Sequence, residues 1–280
     1  FNATTVTVDA TKITAVKEYD FVADTVNLSG AATANKFTLN KTTNNNNVAL
    51  NLTGKGQSVD LKLKGKVKTL NLDSKTDTAT EKNEITNLTT DDTGAINPNP
   101  LLPNTPALKI NITGDKELKI ASPVLPSNAV QGVTFNAGAF TAKLDITGTD
   151  QDDEFIGGTL DNIFIGRSGN NTFTAGDGKN NFTGGKDKDT FIFAFDNFDA
   201  DDKVDGGDGI DTLRFTGTTI DATTPAALAA INGVEKVEVL GFNATTVTVD
   251  ATKITAVKEY DFVADTVNLS GAATANKFTL

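Results

Sequence analysis

The stretch GTDQDDEFIGGTLDNIFIGRSGNNTFTAGDGKNNFTGGKDKDTFI, residues 148–192, divides into five nonapeptides without a gap. Phe holds the eighth place in every copy: Phe155, Phe164, Phe173, Phe182 and Phe191. The sixth place is Asp or Asn: Asp153, Asn162, Asn171, Asn180 and Asp189. The first place is Gly148, Gly157, Gly166, Ala175 and Gly184. A further copy, GGDGIDTLR (206–214), follows an interruption. The block is also where the charge lies. Sixteen acids and five bases stand between Asp145 and Asp211, a local balance of −11 that equals the net charge of the whole chain. An acidic run is ordinarily a solvated face, but this one is periodic.

The pattern resembles the glycine-rich RTX nonapeptide of secreted calcium-binding proteins, over about 67 residues. The physics of the residues supports the resemblance. Gly tolerates positive φ at a turn, and the following residues form a short strand with the eighth side chain turned inward. Two nonapeptides then make an 18-residue coil, in which residues n and n+18 lie about 4.8 Å apart. Phe155, Phe173 and Phe191 form one column, and Phe164 and Phe182 the opposite one. The sixth-place side chains stack likewise: Asp153, Asn171 and Asp189 on one edge, Asn162 and Asn180 on the other.

Carboxylates held in such rows repel unless a cation stands between turns. Ca²⁺ suits them, because it is a hard ion that takes six to eight oxygens. The candidate ligands are Asp150 and Asp153 where the block begins, Asp177 within it, and Asp187 and Asp189 where it ends. The acidic loop 199–211 adds Asp202, Asp205, Asp208 and Asp211. Asn162, Asn171 and Asn180 depart from the family's Asp. They are open to two readings, a hydrogen-bonded ladder or weak calcium ligation, and Asn171 is kept among the candidate ligands.

The rest of the chain is written in strands and turns. Short alternating segments at Thr5–Val8, Glu18–Val22, Thr25–Leu28, Lys36–Leu39, Val48–Leu52, Ser58–Leu63 and Val67–Leu72 recur roughly every ten residues. The fold expected is all-β: a parallel β-roll or β-solenoid of nonapeptides joined to a β-solenoid or elongated β-sandwich. The divisions expected are a strand region at 1–95, a Pro/Asn-rich connector at 96–107, a strand region at 108–147, and the roll with its acidic loop at 148–214. A short helix and a strand follow at 215–241, with the helix at Pro225–Gly233 and Thr224 as its N-cap. The chain has no Cys, His, Trp or Met. Without His and Cys the commonest general base, the best nucleophile and the usual transition-metal ligands are missing. No enzyme is expected. No apolar run approaches the ~18 residues of a membrane helix, and the acidic balance opposes nucleic-acid binding.

Residues 242–280 repeat residues 1–39 without a mismatch, an offset of 242 − 1 = 241 residues. The chain reads as one 241-residue unit and the opening of the next, cut from a tandem array; a cloned duplication of one terminus is the bland alternative. The order of parts, with ALKINITGDKELKI and AVQGVTFNAGAFTAKLDITGTDQDDEFIGG running into the nonapeptides, resembles bacterial surface-layer proteins and giant RTX adhesins. That resemblance implies an extracellular structural repeat unit, secreted by a type I pathway and rigidified by Ca²⁺. The partners implied are neighbouring identical repeats and cell-surface polysaccharide. An adhesin module binding carbohydrate or another cell is the alternative, and an enzyme carrying such a tail ranks third.

Overall fold

The computed structural model describes residues 3–9, 18–29, 35–41, 47–54, 56–65, 67–75, 81–90, 108–121, 123–125, 131–216, 231–250, 258–270 and 277–279. The chain is a parallel β-solenoid. From Ala3–Asp9 to Lys236–Asp250 strands alternate between two sheets, one of 13 strands and one of 11, save Pro123–Val124, which joins the smaller sheet beside Asn83–Thr90; Glu259–Ser270 and Lys277–Thr279 then extend the larger sheet. The strand pairings run parallel. A β-sandwich of hairpins would have paired antiparallel, so the solenoid is the form taken outside the nonapeptides as well as within them.

The nonapeptides set the regular part. Glu154–Ile156, Thr172–Thr174 and Thr190–Ala194 stack in the larger sheet with Phe155 opposite Phe173 and Phe173 opposite Phe191. In the smaller sheet Phe164 lies opposite Phe182. Ring centroids within the columns are 4.8 Å apart for Phe155–Phe173, 4.9 Å for Phe173–Phe191 and 5.1 Å for Phe164–Phe182. One strand spacing therefore equals one ring offset, which suits stacked aromatics. These five rings have no exposed surface.

The columns continue beyond the nonapeptides with Phe135 and then aliphatic residues. The larger sheet carries Val48, Leu70, Ile110 and Phe135 before Phe155, and Leu213 and Val237 after Phe191. The smaller sheet carries Val59, Ile85, Ile120 and Ile146 before Phe164, and Val204 and Ile231 after Phe182. The alternation read from the sequence is thus one core along the axis. Val48, Leu50 and Leu52 are buried, while Asn47 is exposed.

The interruption after Ile192 lengthens one coil. Within the nonapeptides Thr172 pairs with Thr190; beyond them Thr190 pairs with Thr212 and Asn181 with Lys203, a longer step along the chain in both sheets. A 3₁₀ turn at Phe195–Asn197 lies in this insertion. Phe198, beside it, packs edge-on against Phe193 and Phe215. The connector at 96–107 and residues 225–230 of the helix expected over Pro225–Gly233 lie outside the described residues, and the end of that expected helix is not helical. Ile231–Asn232 is a short strand.

Candidate cation site in the glycine turns

The sixth-place side chains, and Asp202 of the interruption, point into the solenoid, not out of it. Asp153, Asn162, Asn171, Asn180, Asp189, Asp202 and Asp211 are each at most 2% exposed. They form two ladders along the two edges. On the first, the Asp153 N–H donates to Asn171 Oδ1 at 3.0 Å, the Asn171 N–H to Asp189 Oδ1 at 2.8 Å, and the Asp189 N–H to Asp211 Oδ1 at 2.7 Å. The Asp211 N–H donates to Glu235 Oε2 at 2.9 Å. On the second edge Asn162 Nδ2 donates to Asn180 Oδ1 at 2.9 Å, and the Asn180 N–H to Asp202 Oδ1 at 2.8 Å. Both edges stack as the period of nine requires. Asp202 belongs to the second row, across the solenoid from Asp211.

What differs along the first row is the second atom of each side chain. Asp153 Oδ2 accepts the N–H of Thr149 at 2.6 Å and its hydroxyl at 3.0 Å. Asn171 Nδ2 donates to the Gly169 carbonyl at 3.0 Å. Asp189 Oδ2 and Asp211 Oδ2 are buried and have no hydrogen-bond partner. The backbone four residues earlier differs as well. Gly185 and Gly207 hold φ +120° and +94°, whereas Thr149, at the equivalent place, turns its N–H toward the carboxylate. Asp202 Oδ2, on the other edge, accepts the Asp199 N–H at 2.9 Å.

The orphaned oxygens face main-chain carbonyls. A methyl group placed on Gly184 would stand 2.2 Å from Asp189 Oδ2 and 2.5 Å from the Gly206 carbonyl oxygen. One on Gly206 would stand 2.6 Å from Asp211 Oδ2 and 2.0 Å from the Gly233 carbonyl oxygen. A carboxylate oxygen and a carbonyl oxygen thus converge on each glycine, with no donor between them. Such a donor set fits a hard cation and leaves an uncompensated charge without one. At Gly166 the equivalent atom is Asn171 Nδ2, a donor that spends itself on Gly169. Asn171 therefore stands in the ladder with both side-chain atoms engaged.

Burial raises the pKa of these carboxyls. Asp189 is pushed up to about 7 by desolvation, and the nearby charges of Asp211 and Asp187 add to it. Asp153 is pushed up to about 6 by burial, which outweighs the N–H groups of Val133 and Thr149. Asp202 and Asp211 are raised for the same leading reason.

The remaining candidates are on the surface. Asp150 pairs with Arg167 at 3.0 Å. Asp177 is exposed and accepts Asn197 Nδ2 at 2.6 Å. Asp187 is exposed, has φ +73° and accepts the Gly169 N–H at 3.1 Å. Asp205 and Asp208 are exposed and add negative charge around Asp211. Among the described residues no three carboxylates cluster as a metal site by themselves. A cation in these turns would need backbone carbonyls in its shell.

Sequence reasoning missed one polar node. Asn83 is fully buried, accepts the Gln57 N–H at 2.8 Å and donates to Ser74 Oγ at 2.8 Å. It joins two turns of the same edge, from the larger sheet into the smaller, where no nonapeptide exists, and Asn83 between Lys82 and Glu84 carries no mark in the sequence.

No family model, curated protein or solved structure matches the chain.

Proposed function

We propose that this chain is a structural repeat unit of an extracellular bacterial surface-layer, filament or giant adhesin protein. Exported unfolded by a type I pathway, it is folded and stiffened by Ca²⁺ outside the cell. The observation that carries this reading is the pair of buried, partnerless oxygens on Asp189 and Asp211, each beside a glycine-turn carbonyl. A buried polar group left without a partner costs about 1–3 kcal/mol, more when charged. A hard divalent ion between coils would remove that cost and join successive turns. The resemblance of residues 148–214 to calcium-binding nonapeptides supports the same ion, as does the concentration of the chain's net charge there. Continuous parallel sheets suit a load-bearing rod, and the identity of 242–280 with 1–39 suits a tandem array. A carbohydrate-binding module would call for an aromatic platform. Tyr19 is instead stacked on Phe37 with centroids 4.9 Å apart.

Extracellular calcium modules bind with Kd of roughly 10⁻⁴–10⁻³ M. At a 100-fold excess over Kd, each independent site adds about 2.7 kcal/mol. Calorimetric titration and thermal melting of the 280-residue chain, with calcium, with magnesium and with chelator, test the proposal. Saturable calcium binding with a raised Tm is expected. No binding heat and coincident melting curves would remove calcium from the account.

A further inference from the structure

The sequence supplies one strand twice, and the fold gives its two copies different neighbours. Glu259–Phe262 runs parallel to Lys236–Val239, with Lys236 opposite Glu259 and Val239 opposite Phe262. The N–H groups of Lys258 and Glu259 both donate to the Glu235 carbonyl. Lys236 Nζ lies 3.9 Å from both Glu259 and Asp261. Within themselves the two copies pair alike. Ala244 stands opposite Ala264 as Ala3 stands opposite Ala23, and Glu259 opposite Lys277 as Glu18 opposite Lys36. Glu18–Phe21, the first copy of the strand, is the outermost strand of its sheet.

One strand differs in sheet between the copies, whereas Ala3–Asp9 and its copy within Lys236–Asp250 both lie in the 13-stranded sheet. Glu18–Phe21 belongs to the 11-stranded sheet, whereas Glu259–Phe262 continues the 13-stranded one. From Ala3–Asp9 to Lys236–Val239 the larger sheet takes ten strand-to-strand steps. At about 4.8 Å per step, these advance the axis by about 50 Å.

We propose that the outer edge of Glu18–Phe21 receives the Lys236–Val239 strand of a preceding copy of this unit. Tandem units then fuse into one continuous solenoid. The partner is a second copy of this chain, and the inference rests on the array reading above. It is argued from the joint that the second copy already displays, in register and with Lys236 beside the same two acids. A head-to-tail joint of this kind does not close on itself, so it propagates as a filament. It also covers a strand edge that would otherwise invite unselective pairing. Any exposed feature, Ile210 for example at 67% exposed, would recur along the rod every ~50 Å.

The chain has no cysteine, so introduced pairs report cleanly. The test uses a two-unit polypeptide, residues 1–241 followed by residues 1–280. Glu238→Cys in the first unit is combined with Asp20→Cys in the second. Register neighbours about 4.8 Å apart lie within the Cα range of a disulfide, so this pair should close. Asn232→Cys in the first unit with the same Asp20→Cys should stay open, because Asn232 ends the other sheet. Lys236→Cys with Glu18→Cys of the second unit repeats the first test without removing the partner of Arg214. Closure of the Asn232 pair, or of none, overturns the proposal. Running the oxidation in calcium and in chelator keeps the two readings apart. A joint that closes in both retires the calcium requirement and leaves the junction standing. A calcium-responsive chain with no closed pair does the reverse.

Discussion

At the scale of single residues, the first row holds a comparison that substitutions can separate. Asp211→Asn keeps an oxygen for the Asp189 N–H and removes the charge that has no partner. Calcium binding should weaken, by about the stoichiometry of one site, and the calcium-loaded Tm should fall. In chelator the variant should be at least as stable as the parent, because a buried carboxylate without a partner is relieved. Asn171→Asp pushes the other way. It replaces the amide that bonds Gly169 with an oxygen facing Gly166 and the Gly184 carbonyl. Calcium should bind more tightly, and the chain should depend on it more. Calorimetry and melting of both variants decide. Equal calcium binding by Asp211→Asn and the parent would move the ion elsewhere. The same carboxyls set a pH dependence in chelator. A free Asp titrates near 3.9, while Asp153 and Asp189 are held at about 6 and about 7 in the fold. Between about pH 4 and about pH 7 the native chain therefore keeps protons that the unfolded chain has lost. Stability in chelator should fall as pH rises through that window and level off above it. A flat Tm from pH 4 to 8 would contradict the buried, charged row.

At the scale of the coil, the glycines divide into those the turn needs and those it does not. Gly185 has φ +120°, and an added methyl would lie 2.1 Å from the Arg167 carbonyl oxygen. Gly138 has nothing nearer than 3.7 Å. Gly185→Ala should lower the Tm by several degrees, and Gly138→Ala should leave it within a degree, compared at fixed calcium. How far the coil was legible follows from the same geometry. A strict period of nine fixes which residues stack, so the Phe columns and both polar rows could be read before the fold. Outside the nonapeptides the coils differ in length. Thr25 pairs with Ala49, whereas Thr69 pairs with Lys109 across a much longer stretch of chain. No period survives such variation, so alternation marked strands without saying whether they formed a sandwich or a solenoid. The split within the first row was not legible either. Oδ2 accepts an N–H where Thr149 stands four residues earlier and has no partner where Gly185 and Gly207 stand there with positive φ. A Gly permits either sign, and the sequence does not state which is used.

At the scale of the whole molecule, a solenoid couples each coil mainly to its two neighbours, so stability is close to a sum of local and nearest-neighbour terms. A ligand held between two coils should then act locally. The partnerless oxygens lie in the coils of Asp189 and Asp211, near one end of the described core. The strands Asn47–Leu52 and Thr69–Ser74 lie several coils away, and their polar groups need no ion. Amide hydrogen exchange, followed by peptide with calcium and with chelator, reads this directly. Calcium should slow exchange most at residues 184–213. The effect should shrink through Asn162–Arg167 and be smallest at residues 47–75. Equal protection across residues 47–75 and 184–213 would mean that the solenoid folds as one cooperative block, with the ion acting on all of it. No protection anywhere, in a chain that binds calcium by calorimetry, would place the ion on the exposed acids Asp205 and Asp208, outside the turns.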